Sequence, residues 1–309
     1  MLDIRRLHML RTVAARGSIT AAAQSLALSA GAVSQQLAAL RHDVGVDLLR
    51  PDGRTVALTE AGRVLLEHAD RILAAMEEAE CAVAAVKGAV GTTATLAALP
   101  STVARIVAPA LTALGTDHPQ LAVTCFVTDQ AQLRELTLGT VDVVLGQHYH
   151  HLPETTPKSI AVSPLLDDPL LVVTAADGAV SGSDGRPVGL RELATDHLVV
   201  PPPTTDCGQA ILQACRQAGF TPTPRYVTAD IAAQVTLARS GLATALVPRT
   251  AIDPVTPGIR AVPIEDNPIQ RLLFAATRHT GTTNPTTAAV IAALRTAARQ
   301  DRTTHLPPT

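Results

Sequence analysis

The sequence predicts three successive parts: an all-α head ending in a hairpin, a long linker helix, and a two-lobed α/β body. Three observations predict them. In residues 1–58 three helical patterns follow one another, with only Leu28 and Ser29 between the second and third. From Thr59 to Lys87 there is no proline and only Gly62 among glycines, while apolar residues recur at alternating spacings of three and four. Beyond Thr93, strand-like and helical stretches alternate, the signature of open α/β sheets with right-handed crossovers.

In the head, Ile4, Leu7, Leu10, Val13 and Ala14 recur at helical spacing and stop at Gly17, a C-terminal cap. Ser18 caps a second helix, Ile19 to Ala27, with Ala22, Ala23 and Leu26 inward. Ser29 caps a third, whose stripe is Val33, Leu37 and Leu40. So short a connection fits a helix-turn-helix. The outward face of the third helix is Ala30, Gly31, Ser34, Gln35, Ala38 and Arg41. These short or amide side chains suit entry into a major groove, where Gln bonds adenine at two atoms. Val46–Arg50 and Thr55–Leu58 flank Pro51-Asp52-Gly53-Arg54, which reads as a hairpin, hence a wing tipped by Arg54. An ordinary alanine-rich three-helix bundle is the alternative.

The linker stripe is Gly62, Leu65, Ala69, Ile72, Met76, Ala79, Val83 and Val86, with the charges off the seam. Such a helix, about 40 Å long, buries its stripe best against another helix; packing on its own body is the alternative. In the body, strands are expected at 94–99, 121–128, 141–146, 170–174, 198–200, 225–228, 243–247, 259–264 and 272–277. Helices are expected at 101–114, 130–138, 190–194, 207–218, 230–239 and 286–299. The expected boundaries are 1–58 for the head, 59–90 for the linker and 91–300 for the body, with a Thr/Pro-rich flexible tail at 301–309. Lobe I takes 91–163 and 268–300, lobe II 164–267.

Composition narrows the function. The chain has 309 residues, 47% apolar and 17% charged, enough to build cores and too apolar for disorder. Aromatics are 2% with no Trp, against a single-strand binder built on stacking platforms. Net charge is −2, yet residues 1–63 hold eight Arg against five acids, a local +3, as a DNA-touching domain on another body would. No apolar run is long enough to span a membrane, and Met1 to Arg16 lacks a signal-peptide core, so a cytoplasmic protein is expected. Cys81, Cys125, Cys207 and Cys215 are scattered without a CxxC pair. No GxSxG, HExxH, P-loop or GxGxxG occurs, so no catalytic residue, cofactor or metal is expected. His148, His150 and His151 cluster without neighbouring acids or cysteines at ligand spacing, which reads as a loop.

Ser18-Ile-Thr-Ala-Ala-Ala-Gln-Ser-Leu26, then Ser29-x-x-Ala32-Val33-Ser34-x-Gln36-Leu37-x-x-Leu40, then Gly45-Val-x-Leu48 and Leu58-Thr59-x-Ala61-Gly62 closely resemble the LysR-type transcriptional regulators, across about 60 residues with matching spacing. Departures are Ala30-Gly31 where Gln-Pro or Gln-Ser is usual, Leu48-Leu49-Arg50-Pro51 where Leu-Phe-x-Arg is usual, and Arg41 where an acid is common. The resemblance implies DNA contact by Ser18, Thr20, Ser29, Ala30, Gly31, Ala32, Ser34, Gln35, Gln36, Arg41, Arg50 and Arg54. Arg50 and Arg54 would hold phosphate, and Ser34, Gln35 and Gln36 would face or approach bases.

The resemblance further implies a periplasmic-binding-protein-like effector domain, pairing through the linker helix into a homodimer or homotetramer, and double-stranded promoter DNA, a small-molecule effector and RNA polymerase as partners. For the effector it points to Ser101, Thr102, Asp129, Thr204, Thr205 and Asp230. Thr102 stands where a hydroxyl commonly meets effector, with a plain N-cap as the alternative. An ionised Asp129 at a second contact position would repel a carboxylate and favour an amine; a solvated loop residue is the alternative. Two rival functions remain. One is a redox-responsive regulator using Cys207 and Cys215, which requires the shared helix to unravel because eight residues span about 12 Å. The other is a solute-binding protein without a DNA role.

Overall fold

The structure, a computed structural model, describes residues 1–304 apart from 54, 88–89, 129–132, 154–155, 178–185, 253–255 and 267, with backbone alone for 87 and 302–304. The chain divides into two compact units. The first is Met1–Ala89 with Arg134–Thr140 and Arg278–Pro285, and the second is the remainder.

In the first unit Asp3 caps helix α1 (Ile4–Arg16) by accepting from the Arg5 amide at 2.8 Å. Gly17 ends α1 at φ 71°, its N–H returning to the Val13 carbonyl. Ser18 caps α2 (Ile19–Ser25) and Ser29 caps α3 (Ala30–Val44), each Oγ accepting from the amide three residues on. Helix α2 stops short of the expected Ala27 because Ala27 takes a left-handed backbone, φ 53°, that no helix can continue. Leu7, Leu10, Val13, Ala22, Ala23, Val33, Leu37 and Leu40 form one buried core, which Leu48 and Ala69 complete. Strands β1 (Leu49–Asp52) and β2 (Thr55–Leu58) make the hairpin. Its turn is tighter than expected: Asp52 pairs with Thr55 and Pro51 with Val56, so Pro51 is a strand residue and Gly53, φ 61°, begins the turn.

Helix α4 (Glu60–Lys87) divides its stripe along its length. Gly62, Leu65 and Ala69 belong to the head: a Cβ on Gly62 would fall 2.0 Å from the Leu48 carbonyl oxygen, and Leu65 and Ala69 pack into the head core. Further along, Ile72, Met76, Val83 and Val86 are exposed, Val86 at 90%.

In the second unit β3 (Thr93–Ala98) leads through a 3₁₀ turn (Pro100–Thr102) and a widened π turn (Val103–Val107) into α5 (Ala108–Asp117). Then come β4 (Ala122–Val127), α6 (Leu133–Leu138), which beyond Leu133 belongs to the first unit, and, back in the second, β5 (Val143–Tyr149) and β6 (Ile160–Asp167). The chain continues with β7 (Leu170–Ala175), β8 (Leu198–Val200), α7 (Asp206–Gln217), β9 (Tyr226–Val227), α8 (Ile231–Arg239), β10 (Thr244–Pro248) and β11 (Ile259–Pro263). It returns in β12 (Arg271–Arg278) and ends in α9 (Pro285–Thr304). Two five-stranded sheets result, β4-β3-β5-β12-β6 and β11-β7-β10-β8-β9. Both are mixed: β3 runs parallel to β4 and β5 while β12 is antiparallel to β5, and β8 is parallel to β9 and β10 while β7 is antiparallel to β10 and β11.

Two expectations about the body need correction. Strand β6 was not expected; Pro164 interrupts its pattern, and an edge position, which β6 occupies, is where a sheet tolerates proline. The lobe boundary at 163/164 therefore falls inside a strand, and the chain crosses between sheets at Asp168–Pro169 and again between Pro263 and Arg271. Nor does a tail begin at 301. Helix α9 runs to Thr304, and the Asp301 carboxylate, side chain 2% exposed, accepts from Arg105 Nε at 2.5 Å and Arg249 Nη2 at 3.1 Å. This ion triad holds the helix end that the Thr/Pro composition disguises.

Within the first unit α6 is tied to α1 directly and to α4 through Arg278. Both terminal nitrogens of Arg16 donate to Glu135 at 2.5 Å, Arg11 donates to the Leu138 carbonyl at 3.2 Å, and Arg278 bonds both Glu77 and the Leu136 carbonyl. Burial alone would raise Glu135; the hydrogen bonds and charge of Arg16 hold its carboxyl below the ordinary range instead.

Removing one partner from a buried ion network leaves the others uncompensated. Asp301→Ala is expected to destabilise the second unit by about 3 kcal/mol in chemical denaturation, leaving the first unit's transition in place. A loss below about 0.5 kcal/mol, the level of ordinary surface substitutions, would show that residue 301 behaves as tail.

Candidate nucleic-acid interface and ligand cleft

Helix α3 is positioned by its buried stripe, which turns Ala30, Gly31, Ser34, Gln35 and Arg41 to solvent. The exposed surface is uncharged over its first turns. Gln36 is only half-exposed: its Oε1 accepts from Arg6 Nε at 3.1 Å, and Arg6 also pairs with Asp43 at 2.6 Å. The Gln36 oxygen is thus engaged with α1. Ala32 is half-buried, while Thr20 and Arg50 are exposed. Ser18 and Ser29 spend their oxygens on capping, which sets the angle between α2 and α3. Arg41 forms an exposed pair with Asp47 at 2.6 Å, a contact weak enough in water to yield to phosphate. Arg54 lies outside the described residues.

In the second unit a cavity of about 60 Å³ is lined from both sheets. Ser101, Gln147, Tyr149 and Arg271 come from one side, Thr205, Cys207 and Gln234 from the other. A more open groove of about 640 Å³ shares Pro100, Ser101, Ala229 and Ile231 with it and runs along α8. Arg271, the first residue of β12, is 2% exposed; its Nη2 donates to Ser101 Oγ at 2.7 Å and its Nη1 lies 3.3 Å from Asp168 Oδ2. Asp168, fully buried, accepts from the Thr250 amide at 3.0 Å and the Thr250 hydroxyl at 2.7 Å. Its own amide donates to the Arg271 carbonyl at 2.8 Å. Gln234 donates to the Thr228 carbonyl at 2.8 Å.

Of the residues expected to meet an effector, Ser101 and Thr205 line the cavity and Asp230 lines the wider groove. Thr205 is also the cap of α7, and Asp230 that of α8. Thr102 is corrected: it is fully buried, its hydroxyl donating to the Leu99 carbonyl at 2.7 Å, because the 3₁₀ turn points it inward. Thr204 is exposed and does not line the cavity, and Asp129 lies outside the described residues. Tyr149, Arg271 and Asp168 were missed. The one signal in the sequence was an arginine opening an apolar strand, next to Leu272 and Leu273, where a charge is costly without a purpose.

The histidine run is tied into the body: His151 Nε2 lies 3.1 Å from the Ala210 carbonyl, Gln213 donates to the His151 carbonyl, and His148 and His150 meet edge to face. Cys207 and Cys215 both sit on α7, too far apart for a disulfide while it stays helical. Burial pushes both thiols up, Cys215 to about 11. Both favour the neutral thiol, the poor nucleophile. With its pKa raised, Cys215 adds stability that is present below the free-thiol range and lost as pH climbs through about 11. Iodoacetamide at pH 8 is expected to label Cys215 roughly a hundredfold more slowly than free cysteine, read by mass spectrometry. Fast labelling, or a Cys207–Cys215 disulfide on peroxide treatment, would contradict this.

Known proteins match this arrangement. Residues 4–63 match the family model of the bacterial regulatory helix-turn-helix protein, lysR family, and residues 87–299 match that of the LysR substrate binding domain. The RuBisCO operon transcriptional regulator of Allochromatium vinosum is 30% identical over 224 residues, 71% of this chain and 70% of that protein. The HTH-type transcriptional regulator TcbR of Pseudomonas sp. (strain P51) is 28% identical, covering 80% of this chain and 83% of its own. The structure of full-length CbnR complexed with its target DNA superposes with a TM-score of 0.55 at 26% identity, over 96% of this chain and 100% of that one. A point variant of full-length OxyR from Pseudomonas aeruginosa reaches 0.68 at 19% identity, over 97% and 95% of the two chains, a likeness of fold. With a winged helix-turn-helix head, a linker helix and a two-sheet effector-binding body, the chain belongs to the LysR family of DNA-binding transcriptional regulators.

Proposed function

We propose that the protein binds promoter DNA as a homo-oligomer paired through α4, and that a small molecule in the cleft of the second unit changes that binding. The observation that carries the effector reading is the cavity lined from two sheets joined by two crossovers: one occupant touches both and favours one of their arrangements. Support for pairing comes from the exposed Ile72, Met76, Val83 and Val86, an apolar stripe at helical spacing that a second copy of α4 would cover. In such a dimer two α3 helices meet one duplex in the cytoplasm, and RNA polymerase is the partner that reads the outcome. Two dimers joining would give a tetramer. Ser34 and Gln35 reach bases, while Arg50, Arg54 and the helix ends hold phosphate. Residues 1–58, 59–90 and 91–304 carry reading, pairing and sensing.

Selection of bound duplexes from a random pool at two salt concentrations is expected to enrich an interrupted palindrome. On that site Arg50→Ala should weaken binding to every sequence and reduce the salt slope by about 1. Gln35→Ala should relax base preference at one position by about 1–3 kcal/mol. Identical behaviour of the two variants would overturn this division of roles.

A further inference from the structure

We propose that His148 and His150 form a surface site for a divalent transition-metal ion of the kind imidazole prefers, Cu²⁺, Ni²⁺ or Zn²⁺. The site stands apart from the cleft. Along the end of β5 successive side chains point to opposite faces of the sheet. Gln147 and Tyr149 line the cavity, and His148 and His150 take the other face. His151 follows Tyr149: the two rings meet edge to face, and His151 Nε2 lies 3.1 Å from the Ala210 carbonyl. The run therefore divides into one histidine tied to the body and a His-x-His pair turned away from the cavity.

Three observations suit the pair to chelation. The rings lie close, with centroids 6.0 Å apart and planes at 75°. A metal ion taking one nitrogen from each ring, at about 2 Å per bond, sets the centroids roughly 5–6 Å apart, so the rings need only turn in place. The backbone holds that spacing, since His148 pairs with Leu272 of β12 and the His150 amide donates to the Gln270 carbonyl at 3.2 Å. Lastly, neither ring has a hydrogen-bond partner among the described residues, and His148 is half-buried while His150 is exposed. Their nitrogens are uncommitted, unlike that of His151. Once one ring holds an ion, the other joins by rotation and not by a separate encounter, which multiplies the affinity of a lone surface imidazole. No third histidine, cysteine or carboxylate completes the set among the described residues, so water fills the remaining positions. Mg²⁺ and Ca²⁺, which require oxygen ligands, are selected against.

The test uses the full chain with ¹³C-labelled histidine, titrated with Zn²⁺ and followed by nuclear magnetic resonance. The His148 and His150 ring signals are identified by their loss in His148→Ala and His150→Ala. In the unaltered chain both are expected to move together and saturate, at a dissociation constant at least about tenfold below that of the exposed His279. Each alanine variant should weaken this binding at least about tenfold. His150→Ala removes an exposed ring and spares the fold, so its loss of affinity is not a loss of structure, and His279→Ala should leave the site unchanged. Cu²⁺ is expected to displace Zn²⁺, following the order of affinities at nitrogen sites, and Mg²⁺ to leave both signals in place. Signals that move only in step with His279, the mark of an adventitious ion only, overturn the proposal. So does a Zn²⁺ affinity that both alanine variants retain.

Discussion

Two buried charges govern the body of this protein. Asp168 and Arg271 are essentially excluded from water, and taking such groups out of solvent costs several kcal/mol per ion unless bonds replace the hydration. Here the replacements come from separate parts of the chain: Thr250 from one sheet's connections, Ser101 from the turn after β3, and the backbone pairing of Asp168 with Arg271. Asp168 sits where the chain first leaves one sheet for the other, and Arg271 where it returns. Satisfying the pair therefore fixes both crossovers together. A cavity lined by Arg271 and Ser101 lies beside this pin.

The head solves a different problem with small residues. Ala22 and Ala23 pack into the head's core without holding its helices apart, and Gly62 lets α4 start against the Leu48 carbonyl, where any side chain would collide. Ala27 tolerates a left-handed turn at a cost of about 1–2 kcal/mol, the strain of making the connection short. These packings leave the exposed side of α3 nearly free of charge over its first turns. Along α4 the same apolar spacing serves the head's core first and then emerges as an uncovered stripe.

Much of this was legible from sequence because local rules and global fold agreed. Capping serines, terminating glycines and the 3-4 stripe placed the helices of the head to within two residues, and alternation placed most strands of the body. What escaped depended on distant contacts. Strand β6 was hidden by Pro164, acceptable only because tertiary structure puts that strand at an edge. The end of α9 was hidden by threonines, since its hold comes from Arg105 and Arg249, far away in sequence. Thr102 looked like a ligand hydroxyl because sequence shows the residue and not its direction. Arg271 and Asp168 carry no motif; only the folded chain brings the two crossovers together.

The central claim is that the Asp168–Arg271 pin closes the crossovers rigidly. Native-state hydrogen exchange tests it most directly through two backbone amides outside the central strands, Asp168, bonded to the Arg271 carbonyl, and Thr250, bonded to the Asp168 carboxylate. Exchange as slow as that of the core amides of β7 and β10, through global opening alone, is the predicted result. Exchange at the rate of an ordinary surface loop, while those strands stay protected, would contradict the account.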